Sequence, residues 1–367
     1  MHLPESINRY FDHDQNEGLE YFLVASIVLL VFFTLLFFVM LMISRFRKIT
    51  IARETDAIKP GFEDLLVRYL FEEVDLKDLI TSKTIKKALS ISWMRGVLLE
   101  EVLKLHDNFS GEYATRLEIF YMEAGLMRDS NKKLKSLKWH MKCKGIKELT
   151  QMHGVSSYDK IWPFTHSKNA VLRREAQFSV LKLKGYAGLS FLNDYEHELS
   201  EWEQLNFISI LSAIKNSTPP DFSGLVRSSN ESVSIFGIRL VMEFGQVQAM
   251  EIVMEKYPKA SEAVKLTILK AICRMHCSEY STNIYSEYQE ASPILKLKIL
   301  KTLGQVGDTS FNDFLISEVS SGNQQIRFEA ATALEGINGN TAILDLAEQT
   351  DELSKMILHI KDKRIHV

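Results

Sequence analysis

The feature that most constrains this chain is an uninterrupted apolar stretch from Tyr21 to Ile43. It reads YFLVASIVLLVFFTLLFFVMLMI and contains no charged residue, no glycine and no proline. A helix rises about 1.5 Å per residue, so a stretch of this length covers the roughly 30 Å hydrocarbon core of a bilayer. The sequence therefore predicts a single transmembrane helix.

A cleaved signal peptide is the competing interpretation of this stretch. Signal peptides have a basic leader and a small-residue cleavage site, whereas this leader is acidic and the run ends in Phe, Met and Leu. Lysine and arginine are enriched on cytoplasmic flanks, so we expect residues 1–20 outside and the C-terminal body in the cytoplasm. No eukaryotic sorting motif is visible, which favours a bacterial inner membrane. The basic residues that follow the stretch are Arg45, Arg47, Lys48, Arg53 and Lys59.

The rest of the composition indicates an all-α protein with reduced thiols. There are only 7 prolines, and leucine, isoleucine, lysine and glutamate are abundant, which favours helices. The three cysteines, Cys143, Cys273 and Cys277, are few, and their odd number does not suit a disulfide framework. The formal net charge of -3 gives no general reason to expect nucleic-acid binding.

An internal repeat organises the body. Segments 170–192 and 326–347 share a basic residue, a Glu-Ala pair, leucine at helical spacing, a glycine break and a second apolar helix. Residues four, eight and eleven positions after each repeat start are apolar or glycine, Asn206 excepted, and these offsets share one helical face. The predicted repeat starts, spaced by 30 or 31 residues, are Leu172, Trp202, Val233, Val264, Leu295 and Ile326.

These segments resemble the HEAT repeat and its bacterial lyase-like relatives, whose first helix carries an arginine near its start and an alanine where helices pack closely. The resemblance implies an all-α chain in which an N-terminal single transmembrane helix is followed by an α-solenoid of stacked helical hairpins. It implies no shared catalytic residue. The expected organisation is an acidic tail at 1–20, the membrane helix at 21–43, a basic linker at 44–60, a helical cap or divergent repeats at 61–136, HEAT-like repeats at 137–348, and a capping helix with tail at 349–367.

No motif for catalysis, cofactor binding or metal binding rises above background. Phosphate-cradling and dinucleotide motifs are absent. The string from His197 to Glu201 lacks the second histidine of a zincin. Cys273, His276 and Cys277 lie within about one helical turn, but they flank predicted core positions, so we interpret them as part of a core or boundary face of a helix. We therefore predict no enzyme, no cofactor and no metal.

One basic run stands apart from the repeat pattern and contains a single acid, Asp129. It is either a solvated helix face, or a contact for anionic lipid headgroups or an acidic partner, or, least in keeping with an acidic chain, a nucleic-acid contact. Its members are Arg128, Lys132, Lys133, Lys135, Lys138, Lys142, Lys144 and Lys147.

Together these features predict a scaffold or adaptor that binds a protein partner on a concave solenoid surface at the cytoplasmic face of the membrane. One alternative is an accessory subunit of a membrane glycosyltransferase or exporter. Another is a HEAT-like lyase or ligand-binding solenoid, which a co-purified chromophore or small molecule would reveal.

Overall fold

A computed structural model of the chain describes residues 5–72, 74–215 and 217–338. Every regular element in these ranges is a helix, and none of the described residues forms a strand, which confirms the predicted all-α class. The end of the predicted repeats, 339–348, and the predicted capping helix at 349–367 lie outside the described residues. The chain divides into two compact units, Met1–Asp129 and Ser130–Val367.

A single helix, α1, runs from Glu5 to Phe71 and contains the whole apolar stretch. The large apolar side chains between Tyr21 and Ile43 are exposed. The segment 44–60, predicted as a linker, is helical throughout and includes Pro60. Because proline has no N–H, it removes one intrahelical hydrogen bond, yet the helix continues for another eleven residues to Phe71.

The C-terminal part of α1 packs in the first unit. It buries Phe62, Leu66 and Leu70 and contacts α2, α4 and α5. Arg116 lies 4.7 Å from the ring centre of Tyr69 and donates a hydrogen bond to the Leu70 carbonyl at 3.1 Å. The other helices of this unit are α2 (Leu76–Thr81), α3 (Lys83–Ser90), α4 (Ser92–Asn108) and α5 (Glu112–Glu123).

The second unit is a succession of long and short helices. The long ones are α7 (Trp139–Gln151), α9 (Ala170–Lys184), α10 (Glu201–Ser212), α12 (Glu231–Glu243), α14 (Glu262–Met275), α16 (Pro293–Val306) and α18 (Gln324–Asn338). The short ones are α8 (Tyr158–Ile161), a 3-10 helix at Gly185–Leu192, α11 (Ser223–Val226), α13 (Met250–Lys256), α15 (Ser281–Ser286) and α17 (Asn312–Val319). The boundary between the units falls within α6 (Leu126–Leu134).

The long helices of this unit pack in chain order, each against the next. Small residues permit the closest approaches. A Cβ atom built on Gly304 would lie 2.4 Å from the Cα atom of Ala333, so α16 and α18 touch backbone to backbone. A Cβ atom on Gly237 would likewise meet the backbone nitrogen of Val226 at 2.6 Å.

The long helices α9, α10, α12, α14, α16 and α18 begin at side-chain N-caps that recur with the repeat. Asparagine or serine oxygens accept backbone N–H groups of the first turn, which otherwise lack partners. Successive caps are 31, 30, 31, 31 and 31 residues apart. They are Asn169, Ser200, Asn230, Ser261, Ser292 and Asn323.

The caps correct the register predicted for the second repeat. Each cap precedes its repeat start by three residues, which makes Glu203 the start in α10 and not Trp202. Trp202 is 55% exposed, whereas Phe207 and Leu211 are fully buried. The prediction favoured Trp202 because it is apolar, while the true position holds a carboxylate. The polar Asn206 in the predicted pattern resulted from this one-residue error.

Candidate interaction surfaces

One lysine of the basic run, Lys133, forms an ion pair with a buried carboxylate. Glu148 is buried and accepts hydrogen bonds from Ser130 Oγ at 2.7 Å and from Lys133 Nζ at 2.5 and 2.6 Å. A buried carboxylate needs such compensation because its desolvation is costly. Lys133 therefore joins α6 to α7 and is withdrawn from any external partner.

Three further members of the run also have interaction partners. Lys147 Nζ lies 3.6 Å from a carboxylate oxygen of Glu175. Lys142 Nζ lies 4.9 Å from the ring centre of Phe164. Lys144 has a partner of its own. Hence the run predicted as one surface is divided between internal and external roles.

The remaining lysines cluster at the junction of α6 and α7. Lys132, Lys135 and Lys138 are exposed, and none forms an ion pair or side-chain hydrogen bond with the described part of the chain. Between and beside them, Leu137 is 102% exposed and Trp139 is 47% exposed. We call residues 132–139 the basic tip. Arg128, the last member of the predicted run, is exposed on α6 in the first unit.

A second surface, which the sequence reasoning missed, is an open groove of about 1060 Å³ in the second unit. It lies at the N-terminal ends of α10 and α12 and reaches Ala263 in the first turn of α14. One guanidinium, Arg239, stands among its carboxylates. We call this surface the acidic groove. Its carboxylates are Asp194, Glu196, Glu198, Glu201 and Glu231.

Hydrogen bonds hold the loop that carries most of these acids. Asn230 Nδ2 donates to the carbonyls of Tyr195 and His197, at 2.8 Å each. The Leu199 N–H donates to Ser232 Oγ at 2.8 Å. Tyr195 and Leu199 are buried. The loop is thus fixed to the start of α12 before any partner binds.

The acidic side chains of this loop are exposed, and no cation among the described residues neutralises them. Asp194, Glu196 and Glu198 are exposed, and none forms an ion pair or side-chain hydrogen bond with the described residues. Glu201 pairs with Arg239 Nη2 at 2.8 Å. The groove therefore presents a net negative charge that one arginine does not balance.

Three polar atoms on the groove walls are buried and have no hydrogen-bond partner among the described residues. They are Tyr195 Oη, Gln204 Oε1 and Arg239 Nη1. The other end of the Gln204 amide is satisfied, since Nε2 donates to the Leu199 carbonyl at 3.0 Å. Buried polar groups usually have a partner, and these three exceptions belong to residues that line the groove.

Glu203 stands behind the groove and fixes the start of α10. It forms a capping box with Ser200 and accepts a hydrogen bond from Arg174 Nε at 3.1 Å. Burial acts to raise the pKa of Glu203, but the hydrogen bonds from Ser200 and Arg174 outweigh burial and lower the pKa below its usual value. Glu203 is therefore an ionised structural residue and not a candidate acid.

A compositional signal for the groove exists in the sequence. Residues 185–214 contain five acids and no lysine or arginine. The acids are spread over a loop and a helix start, so no helical or strand period connects them. The string beginning at His197 is incomplete as a zinc motif, but its carboxylates, Glu198 and Glu201, lie on the groove.

The cysteine and histidine cluster lies at the end of α14. His276 adopts a left-handed conformation with φ 54° and ends the helix. Cys277 is buried, and this burial raises the pKa of its thiol. Cys273 is partly exposed and His276 is exposed. The segment serves as a helix end in the fold.

The sequence matches no protein-family model, and no curated protein is significantly similar to it. The HEAT-like resemblance therefore stays a prediction that rests on this chain's own period, caps and helix packing.

Proposed function

We propose that this protein is a single-pass membrane scaffold whose body is an α-solenoid that binds a basic segment of a protein partner in the acidic groove. The short N-terminal tail lies outside and the body lies in the cytoplasm. The protein performs no chemistry of its own in this proposal.

The composition and setting of α1 support the membrane span. It is long and apolar enough to cross a bilayer, and its most apolar part is not buried against the described residues. An apolar stretch fully exposed to water would be strongly unfavourable, at about 25 cal/mol per Å² of apolar surface. The basic residues after Ile43 favour the cytoplasmic placement of the body.

Three observations support the solenoid. The N-caps recur every 30 or 31 residues, the long helices pack in chain order, and small residues permit close contact between them. A single helical hairpin cannot bury its apolar face alone, whereas stacked hairpins form a continuous core. The resemblance to HEAT repeats points to the same arrangement.

The acidic groove is the observation that carries the binding proposal. Its loop is prearranged, which lowers the entropic cost of binding. Its unpaired carboxylates attract lysine and arginine side chains. Its unpartnered buried atoms include a donor, Arg239 Nη1, and an acceptor, Gln204 Oε1, which together match the C=O and N–H groups that a bound peptide backbone offers.

Site-specific photocrosslinking in native membranes tests this function. A photoreactive amino acid replaces Glu196 in the full-length protein, and the matched control replaces Glu290, an exposed acid outside the groove. We expect one partner to be captured in stoichiometric amounts from position 196 and not from position 290. The double charge reversal Glu196→Lys and Glu198→Lys should abolish binding of that partner, while Glu290→Lys should not.

A synthetic peptide copying the basic segment of the captured protein should compete with crosslinking at position 196. Equal capture from both positions, or a captured protein that still binds after the charge reversal, would contradict the groove proposal. Retention of a coloured or small-molecule ligand in place of a protein would move the function to a ligand-binding solenoid.

A further inference from the structure

We propose that the basic tip, residues 132–139, inserts into the anionic surface of the membrane that holds the protein. Leu137 and Trp139 enter the headgroup region, and the three free lysines bind lipid phosphates. The inference rests on the proposed membrane anchor but not on the acidic groove.

The basic tip exposes two large apolar side chains close together. An isolated exposed leucine is ordinary on a protein surface. Here a fully exposed leucine lies two residues from a half-exposed tryptophan, at the junction between two helices. Leucine and tryptophan partition into the membrane interface, and tryptophan is enriched there because its ring is amphipathic.

The charges around these side chains select the kind of surface. The ammonium groups of Lys132, Lys135 and Lys138 have no partner in the described part of the chain. A lysine near an anionic membrane contributes about 1 kcal/mol, which is roughly a fivefold gain in association. By contrast, Lys133 of the same run is tied to Glu148 and is not available.

A lipid surface fits these features better than an acidic protein does. A bilayer accepts an apolar tip and a ring of cations at once, because headgroups lie directly above hydrocarbon. The anchor proposed above also keeps the body close to the membrane, so a weak contact is enough to hold the tip there.

The test uses the full-length protein in lipid nanodiscs that contain no other protein. The partly exposed Cys273 is replaced by serine, and a fluorophore is attached at Leu137→Cys or, as a control, at Val247→Cys, whose valine is 50% exposed between two glutamines. Lipids with nitroxide-labelled chains then quench a fluorophore that enters the membrane.

We expect quenching at position 137 to exceed quenching at position 247 at least twofold in nanodiscs with phosphatidylglycerol, and to fall in purely zwitterionic nanodiscs. The variant K132E/K135E/K138E should remove the dependence on lipid charge, whereas Lys133 is left intact to preserve the fold. Equal quenching at the two positions, or quenching indifferent to lipid charge, overturns the inference. A change in fluorescence at position 137 that appears only when an acidic protein is added would overturn the inference and favour a protein contact.

These outcomes are separable from those of the proposed function. A chain that does not incorporate into nanodiscs contradicts the membrane anchor itself. A chain that incorporates normally but shows no quenching at position 137 contradicts the tip alone. Partner capture at position 196 is independent of both results.

Discussion

The crossing of α16 and α18 allows a sharp test of the consecutive packing of helices. Gly304 lies in the last turn of α16, facing Ala333 of α18. The Cβ atom of an alanine at position 304 would lie 2.4 Å from the Ala333 Cα atom and 2.7 Å from its Cβ atom. No rotamer change relieves these contacts, because a Cβ atom is fixed by the backbone.

The expected magnitude follows from two opposing effects. Replacing glycine by alanine in a helix interior stabilises the helix by about 1 kcal/mol. Carbon atoms at a normal contact are about 3.5–4.0 Å apart, so α18 must move by roughly 1 Å to accept the new methyl group. Overpacking costs about 1–3 kcal/mol, and a contact with backbone atoms that cannot rotate away falls at the upper end, about 2–3 kcal/mol. After the helix gain of about 1 kcal/mol is subtracted, we expect Gly304→Ala to lower the free energy of unfolding by about 1–2 kcal/mol.

The control is the same substitution where space is open. Gly96 is an exposed residue inside α4, and a Cβ atom built there meets nothing within 4 Å. Gly96→Ala should therefore stabilise the first unit by up to about 1 kcal/mol. One chemical change thus has opposite signs at two helical positions.

Hydrogen exchange of the full-length protein in detergent separates the two units. A loss of 1–2 kcal/mol accelerates exchange through local opening about 5- to 30-fold. We expect this acceleration in α16 and α18 for Gly304→Ala and slower exchange in α4 for Gly96→Ala. Unchanged or slower exchange in α16 and α18 would refute the backbone contact and weaken the solenoid proposal.

Three other features can be tested by single substitutions. Leu303→Asp places a charge in a fully buried position and should destabilise the second unit by about 4 kcal/mol or more, seen as a lower denaturation midpoint. Lys133→Ala leaves the buried Glu148 carboxylate without its cation and should cost about 3 kcal/mol, whereas Lys132→Ala should stay within about 0.5 kcal/mol in the same assay. The depressed pKa of Glu203 contributes stability above its unfolded pKa, about 4.3, and this stability is lost as the pH falls through the folded pKa. Urea titrations between pH 6 and 3 should therefore show a shallower acid loss for Glu203→Gln than for the wild type.

The sequence was sufficient to predict the all-α class and the repeat period. The class follows from the composition, and the period follows from the apolar spacing, which recurs in every repeat. The one-residue error at Trp202 arose because apolarity alone decided the register. The N-caps, three residues before each start, carry the same period in polar residues and would have placed Glu203 correctly.

The surfaces were less predictable because charge in a sequence does not show which charges are paired. Lys133 and Lys132 are adjacent and chemically identical, yet Lys133 is bound to Glu148 and Lys132 is free. The acidic groove was missed for a related reason. Its acids come from a loop and two helix starts that the fold brings together, and the buried atoms without partners are visible only in three dimensions.

The near-neutral net charge of the chain conceals two surfaces of opposite sign in the second unit. The basic tip lies in residues 132–139, and most acids of the groove lie in residues 194–201. If an anionic membrane holds the body as proposed, the tip would be attracted to it and the groove would be repelled. In that arrangement the repulsion would keep the groove away from lipid, which would otherwise compete for the basic segment of the proposed partner. Because exposed charges are screened over about 8 Å at physiological salt, lipid contact by the tip and partner binding by the groove should weaken together as salt rises, while the buried pair of Lys133 and Glu148 should be far less affected.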